Sequence, residues 1–212
     1  MATGATKASR FVAGALLALL SFAALAGPEE DYRSALTAFR GGDMTGAMTT
    51  LRRTSGQGHV PSMVLLGYIL EQGSLDTEAA QTYRKAAEAG SAEGEVALAT
   101  MLAAGKGVKQ DMPQAIRLYE RAAGRGNIAA INLLAQAYIS GTLGFTKDRR
   151  NNAQAIAALE RAAREGYEPA VAELNRAYTE GDYGLAADPV QAARWVPMPA
   201  ESAKPAAKGN RK

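Results

Sequence analysis

The chain has no cysteine in 212 residues. That one absence excludes disulfide staples, thiolate metal sites and cysteine nucleophiles. Histidine occurs once, at His59, so neither a histidine metal cluster nor a triad built around a second histidine can form. Neither a metal nor any other cofactor is expected. Aromatic residues make up 6% of the chain, with tryptophan only at Trp195, so aliphatic and small side chains must fill the core. Concentrated positive charge is lacking too. Lys and Arg number 24 against 21 Asp and Glu, but the excess sits at the ends. Lys7 and Arg10 lie in the first 26 residues, and Lys204, Lys208, Arg211 and Lys212 face only Glu201 in 197–212. Without those segments the balance moves from +3 to −2. A nucleic-acid binder gathers basic residues on its folded face, and this body does not.

A long apolar run is also missing. "FVAGALLALLSFAALA" (11–26) is shorter than the ~20 residues a membrane span needs. Lys7 and Arg10 precede it, and Ala24-Leu25-Ala26 supplies the small residues that a signal peptidase reads, with cleavage before Gly27. Residues 1–26 are therefore predicted to be a signal peptide and the protein to be exported, most simply to the periplasm. No cysteine follows the cleavage point, which excludes a lipoprotein anchor. The Pro/Ala/Lys segment 197–212 buries too little apolar surface to order and reads as a disordered basic tail. It is the one segment suited to touching a membrane surface.

What the chain does have is a repeat. "YRKAAEAG" (83–90), "YERAAGRG" (119–126) and "LERAAREG" (159–166) share a large residue, Ala-Ala and Gly at one spacing. Their closing glycines are 36 and 40 residues apart, and Gly58 lies 32 before the first. Length varies in one place only: Gly73 to Ala79 spans six residues, Gly105 to Ala115 ten, Gly141 to Ala155 fourteen. Insertions confined to one loop are what stacked helical hairpins permit.

"GKGVKQDMPQAIRLYERAAGRG" (105–126) has the glycine spacing of a phosphate loop, yet no strand precedes it and no Gly-Lys-Ser/Thr ends it. The same slot returns as "GTLGFTKD" (141–148) and "GDYGLAAD" (181–188) with its contents changed. It reads as punctuation: a helix stopped at Gly105, Val108 tucked inward, Asp111 as the next N-cap, Pro113 in the first turn and Gly126 as a left-handed stop. Ala115, Tyr119 and Ala122 follow at i, i+4, i+7, an amphipathic stripe. Asp188-Pro189 starts a last, short helix, and Trp195 is expected to cover core left open at that end.

These residues resemble the Sel-1-like repeat family, related to the tetratricopeptide repeats. Leu66-Gly67, Leu98-Ala99 and Leu134-Ala135 match its first-helix signature, and Leu174-Asn175 does so loosely. The resemblance covers 31–196 and implies an all-α, right-handed α-solenoid of helical hairpins. Residues 27–58 form a leading hairpin, 59–90, 91–126, 127–166 and 167–196 the repeats. The first full repeat departs by lacking the Gly-Val-Asp loop, and the third carries extra residues including Arg149-Arg150.

First helices line the concave side of such a solenoid. The stripe opposite the packing residues reads Val64, Tyr68, Glu71; Val96, Thr100, Ala103; Asn132, Gln136, Ile139; and Ala172, Arg176, Thr179. The packing columns stay Leu and Ala while this stripe changes, which suits a peptide or folded protein better than a repetitive polymer. Tyr68, Thr100, Asn132, Gln136, Ala172 and Arg176 are the candidate contacts, with Tyr and Arg the usual carriers of interface energy. Arg176→Glu is expected to weaken association without unfolding. His59 is read as structural, Glu29-Glu30-Asp31 as a solvated run, and Glu93/Glu95 and Glu165/Glu168 as complements to helix dipoles. Arg117, Arg121 and Arg125 are read as a solvated face pairing with Glu120 and Asp111. The resemblance implies a non-enzymatic scaffold or adaptor for an envelope protein; the alternative is an immunity protein neutralising a periplasm-acting antibacterial effector. β-Lactam hydrolysis belongs to cysteine-rich relatives, and this chain has no cysteine and no serine–lysine pair at the needed spacing.

Overall fold

The computed structural model describes residues 27–146 and 152–196. The predicted signal peptide 1–26, the basic tail 197–212 and Arg149-Arg150 lie outside the described residues. Helices follow one another as α1 (Pro28–Arg40), α2 (Met44–Gly56), α3 (Val60–Gln72), α4 (Asp76–Glu88), α5 (Ala92–Ala104), α6 (Met112–Gly124), α7 (Ile128–Ser140), α8 (Asn152–Arg164), α9 (Glu168–Glu180) and α10 (Pro189–Ala192). No strand occurs among the described residues. Each helix packs on the next, so the protein is an α-solenoid of consecutive hairpins.

Every junction between repeats is closed in the same way. Gly58, Gly90, Gly126 and Gly166 all take positive φ, between 83° and 90°. At each, the glycine N–H and the following N–H reach back to the last-turn carbonyls: Gly90 N to Ala87 O and Ser91 N to Ala86 O, at 3.1 and 2.9 Å. This is the Schellman pattern, which satisfies carbonyls that a helix end leaves orphaned. The residue after the glycine then starts the next helix. Ser91 Oγ accepts from Gly94 N, and Asn127 Oδ1 from Ala130 N. At His59 and Tyr167 the side chain caps nothing, and there Pro61 and Pro169 stand in the first turn. Proline removes an N–H that would otherwise lack a partner.

Small residues set the helix spacing. A Cβ on Gly67 would lie 2.5 Å from the Tyr83 ring, and one on Gly94 2.7 Å from Ala86 Cβ. The Ala-Ala pairs at 86–87, 122–123 and 162–163 are all buried. In the 105–111 loop, Gly107 touches the backbone of Asp76, where a Cβ would fall 2.3 Å from the carbonyl carbon. Val108 packs on the core, and Asp111 Oδ1 accepts from Gln114 N at 2.9 Å. The loop is structural punctuation, as its sequence predicts.

Curvature follows from which helices meet. Beyond sequential neighbours, first helix α3 touches α5 and α7 touches α9, while no two second helices among the described residues pack to that extent. The second helices instead leave an indentation of about 210 Å³ above Ile131, Leu134 and Tyr138. Where adjacent repeats meet beyond sequential neighbours they meet through first helices, the closer approach expected of a concave side.

Candidate functional site

The candidate contacts stand one repeat apart on α3, α5, α7 and α9, as a row rather than a pocket. Tyr68 is 45% exposed and sits edge-on to Phe39 of α1, with ring centroids 6.1 Å apart. Thr100 Oγ1 lies 2.9 Å from the Tyr119 hydroxyl. Gln136 Oε1 accepts from the Tyr167 hydroxyl at 2.7 Å, tying α7 to the start of α9. Asn132 is half-buried, its Oδ1 closed to solvent and without a hydrogen-bond donor. Ala172 is exposed.

Arg176 differs from expectation. Its guanidinium is held by Glu173, Glu180 and Asp182 at 2.7, 2.7 and 2.9 Å. Glu173 also accepts from the buried Tyr183 hydroxyl at 2.7 Å. Burial pushes the Glu173 carboxyl up, but the bonds from Arg176 and Tyr183 outweigh it and hold it below the ordinary 4.5. The charge that invites a partner is thus committed to closing the last hairpin, and Arg176→Glu would place a fourth carboxylate among three.

Three other charge readings change: the pairing of Arg121 and Arg125, the place of Glu95, and the run 29–31. Arg121 and Arg125 do not pair with Glu120 and Asp111. Arg121 Nε lies 2.7 Å, and Arg125 Nη1 3.4 Å, from Oε1 of Glu95, which is fully buried. Arg125 also donates to the Gly90 carbonyl. Nor is 29–31 a merely solvated run: Glu29 meets Arg33 and His59, and Asp31 meets Arg53 at 2.8 Å. That bond holds the Asp31 carboxyl below its usual range.

Glu29, His59 and Ser62 form a chain with the outline of a hydrolytic triad: Nε2 is 3.3 Å from Glu29 Oε2, and Nδ1 2.8 Å from Ser62 Oγ. The serine is fully buried, with Thr54 Oγ1 2.7 Å away on its other side. No carbonyl can reach it, so the chain serves to fasten α1, α2 and α3. Tyr32 lies against the His59 ring at 5.4 Å. No group of acidic and histidine side chains among the described residues could hold a metal ion.

Two features of this face escaped the repeat pattern. The first is an open groove of about 570 Å³ across α1, α3 and α5, lined by Tyr32, Val64, Leu65, Tyr68, Glu93 and Ala97 among others. The second is charge. Leaving out the buried Glu95, helices α3, α5 and α9 hold Glu71, Glu93, Glu168, Glu173 and Glu180 against Arg176 alone and α7 holds no charge, whereas α4, α6 and α8 hold five acids and six bases.

The family model for the Sel1 repeat matches residues 60–91, 92–127, 128–167 and 170–196. Among solved structures, the chain is 28% identical to a protective antigen of uropathogenic Escherichia coli with an SLR fold, at TM-score 0.67 over 80% of this chain but only 37% of that one. It is 26% identical to a Sel1 repeat protein from Oxalobacter formigenes, at TM-score 0.62 over 80% of this chain and 71% of that one. A putative Sel1 repeat protein from Klebsiella pneumoniae, 23% identical at TM-score 0.51 over 79% and 83% of the two chains, shares the fold. A search of curated proteins finds no match. Sel1 repeat folds are generally protein–protein interaction scaffolds.

Proposed function

The chain belongs to the Sel1 repeat family, and on that premise we propose that it is a non-enzymatic periplasmic scaffold whose concave first-helix face receives an envelope protein. One observation carries this reading. Beneath the face, Leu66-Gly67, Leu98-Ala99 and Leu134-Ala135 are buried in near-identical positions. Above it, the equivalent positions are Tyr68, Thr100, Gln136 and Arg176. Uniform packing with changing display is what a surface needs to match one irregular partner. The sealed Ser62 argues against hydrolysis on the one hydrogen-bonded serine–histidine pair.

The test is crosslinked capture from a periplasmic extract with wild type, Tyr68→Ala and Ala172→Arg, read by mass spectrometry. Both substitutions are at exposed positions, so melting temperature should hold while one shared partner is lost. Retention of every captured protein by both variants would refute the face. Export is tested separately: the intact mass of protein from the periplasmic fraction should correspond to a chain starting at Gly27.

A further inference from the structure

We infer that the groove across α1, α3 and α5 takes an extended cationic segment of the partner, with an apolar side chain over Val64 and Ala97 and an Arg or Lys against Glu93 and the Tyr68 ring. This rests on the scaffold reading and specifies the chemistry of what the scaffold binds.

The groove is long and open, crossing three helices instead of sinking between two, which fits a strand-like segment better than a compact ligand. Its floor is apolar. Tyr68 is half-exposed yet oriented by Phe39, and a rigid aromatic at a rim loses little freedom on binding. The charged side chain among its lining residues is Glu93, which is exposed and accepts only the Ser91 hydroxyl, at 3.1 Å. Three cations near this end are already engaged, Arg33 by Glu29, Arg53 by Asp31 and Lys106 by Glu71 and Asp76, while Arg40 of α1 is exposed and makes no ion pair among the described residues. An incoming cation therefore meets an available carboxylate and a tyrosine face, and an incoming carboxylate meets like charge at Glu93. The acidic balance of the first helices also disfavours an anionic lipid surface.

The probe is a phage-displayed library of random nonapeptides, selected on the full chain. The expected enrichment is Arg or Lys beside a large aliphatic or aromatic residue. A selected peptide, labelled for anisotropy, should bind Glu93→Lys and Tyr68→Ala about tenfold more weakly, at unchanged melting temperature. Its Arg-to-Glu counterpart should prefer Glu93→Lys over wild type. No enrichment, or indifference to Glu93→Lys, overturns the inference. Enrichment of acidic or uncharged peptides that still depend on Tyr68 overturns it while leaving the scaffold reading standing. Peptides indifferent to Tyr68→Ala and Ala172→Arg alike defeat both. A synthetic 197–212 peptide that displaces the selected peptide at equal concentration would give the groove to this chain's own tail and overturn the assignment to a partner.

Discussion

Gly94 in α5 and Gly124 in α6 belong to one hairpin, and the same substitution should act on them with opposite sign. A Cβ at Gly94 would press on Ala86 Cβ at 2.7 Å and on the Ala87 backbone nitrogen at 2.9 Å, while one at Gly124 meets nothing within 4 Å. Gly94→Ala must push α5 off α4, an overpacking cost of about 1–3 kcal/mol that exceeds the ~1 kcal/mol helix-propensity gain. Gly124→Ala keeps only the gain, about 0.4–1 kcal/mol. Thermal melts of the two variants, falling and rising respectively, check the helix spacing at atomic scale. Glu95 is a second residue whose role depends on its neighbours. It stands at i relative to Leu98, Ala99 and Leu102, so its spacing already placed it on the packing stripe. Its charge and its place in the first turn point instead to the helix dipole. Burial made Arg121 and Arg125 its partners, and Glu95→Gln should cost about 1–3 kcal/mol by leaving a buried amide in place of a paired carboxylate. Urea titration giving less than half a kcal/mol would show that the pair does not hold α6 to α5.

The last hairpin is held differently from the others. It lacks the Ala-Ala-Gly closure, and Asn175 occupies the position that Gly67, Ala99 and Ala135 hold elsewhere. The amide of Asn175 reaches forward to the Ala192 carbonyl at 2.9 Å and so ties α9 to α10. The Arg176 cluster adds the loop between them. Glu173 and Glu180 are legible as partners from their i−3 and i+4 spacing; Asp182 is not, because it arrives only through the left-handed turn at Gly181. The pH dependence follows in sign. Glu173 has a folded pKa below its ordinary value, so its stabilisation is fully present above that value and is lost as pH falls through the lower, folded one. Trp195, the single tryptophan, packs on the core at this end and reports its opening. Its emission should stay native past the ordinary glutamate range in wild type. In Arg176→Met, only the Tyr183 bond is left to oppose burial, so Glu173 titrates higher than in wild type and the emission change should begin at higher pH. Coincident titrations would mean the cluster leaves α10 unsupported.

At the scale of the molecule, the helical repeat was legible because each hairpin writes its own closure: a glycine that must take positive φ, two alanines that must be small, a cap directly after. What escaped needed information from across the chain. Tyr32 enters the groove from α1, whose hairpin carries no Leu-Gly signature to fix its register against the repeats. The Glu29–His59–Ser62 fastening joins residues thirty positions apart in sequence, and the concave charge bias emerges only when first and second helices are separated into layers. The same organisation governs unfolding. Contacts run between neighbouring helices and between first helices one repeat apart, so stability is passed along the array rather than shared through one centre. A bulky residue at the α4–α5 junction should therefore divide the array instead of lowering it uniformly. Wild-type unfolding followed by far-ultraviolet dichroism and by Trp195 should coincide. In Gly94→Val the dichroism should begin to fall at lower denaturant while Trp195, on the far side of the lesion, holds its native signal. Two probes that shift together by the same amount would show that the repeats melt as a single block, and that α4 and α5 are coupled through more than the close contact at Gly94.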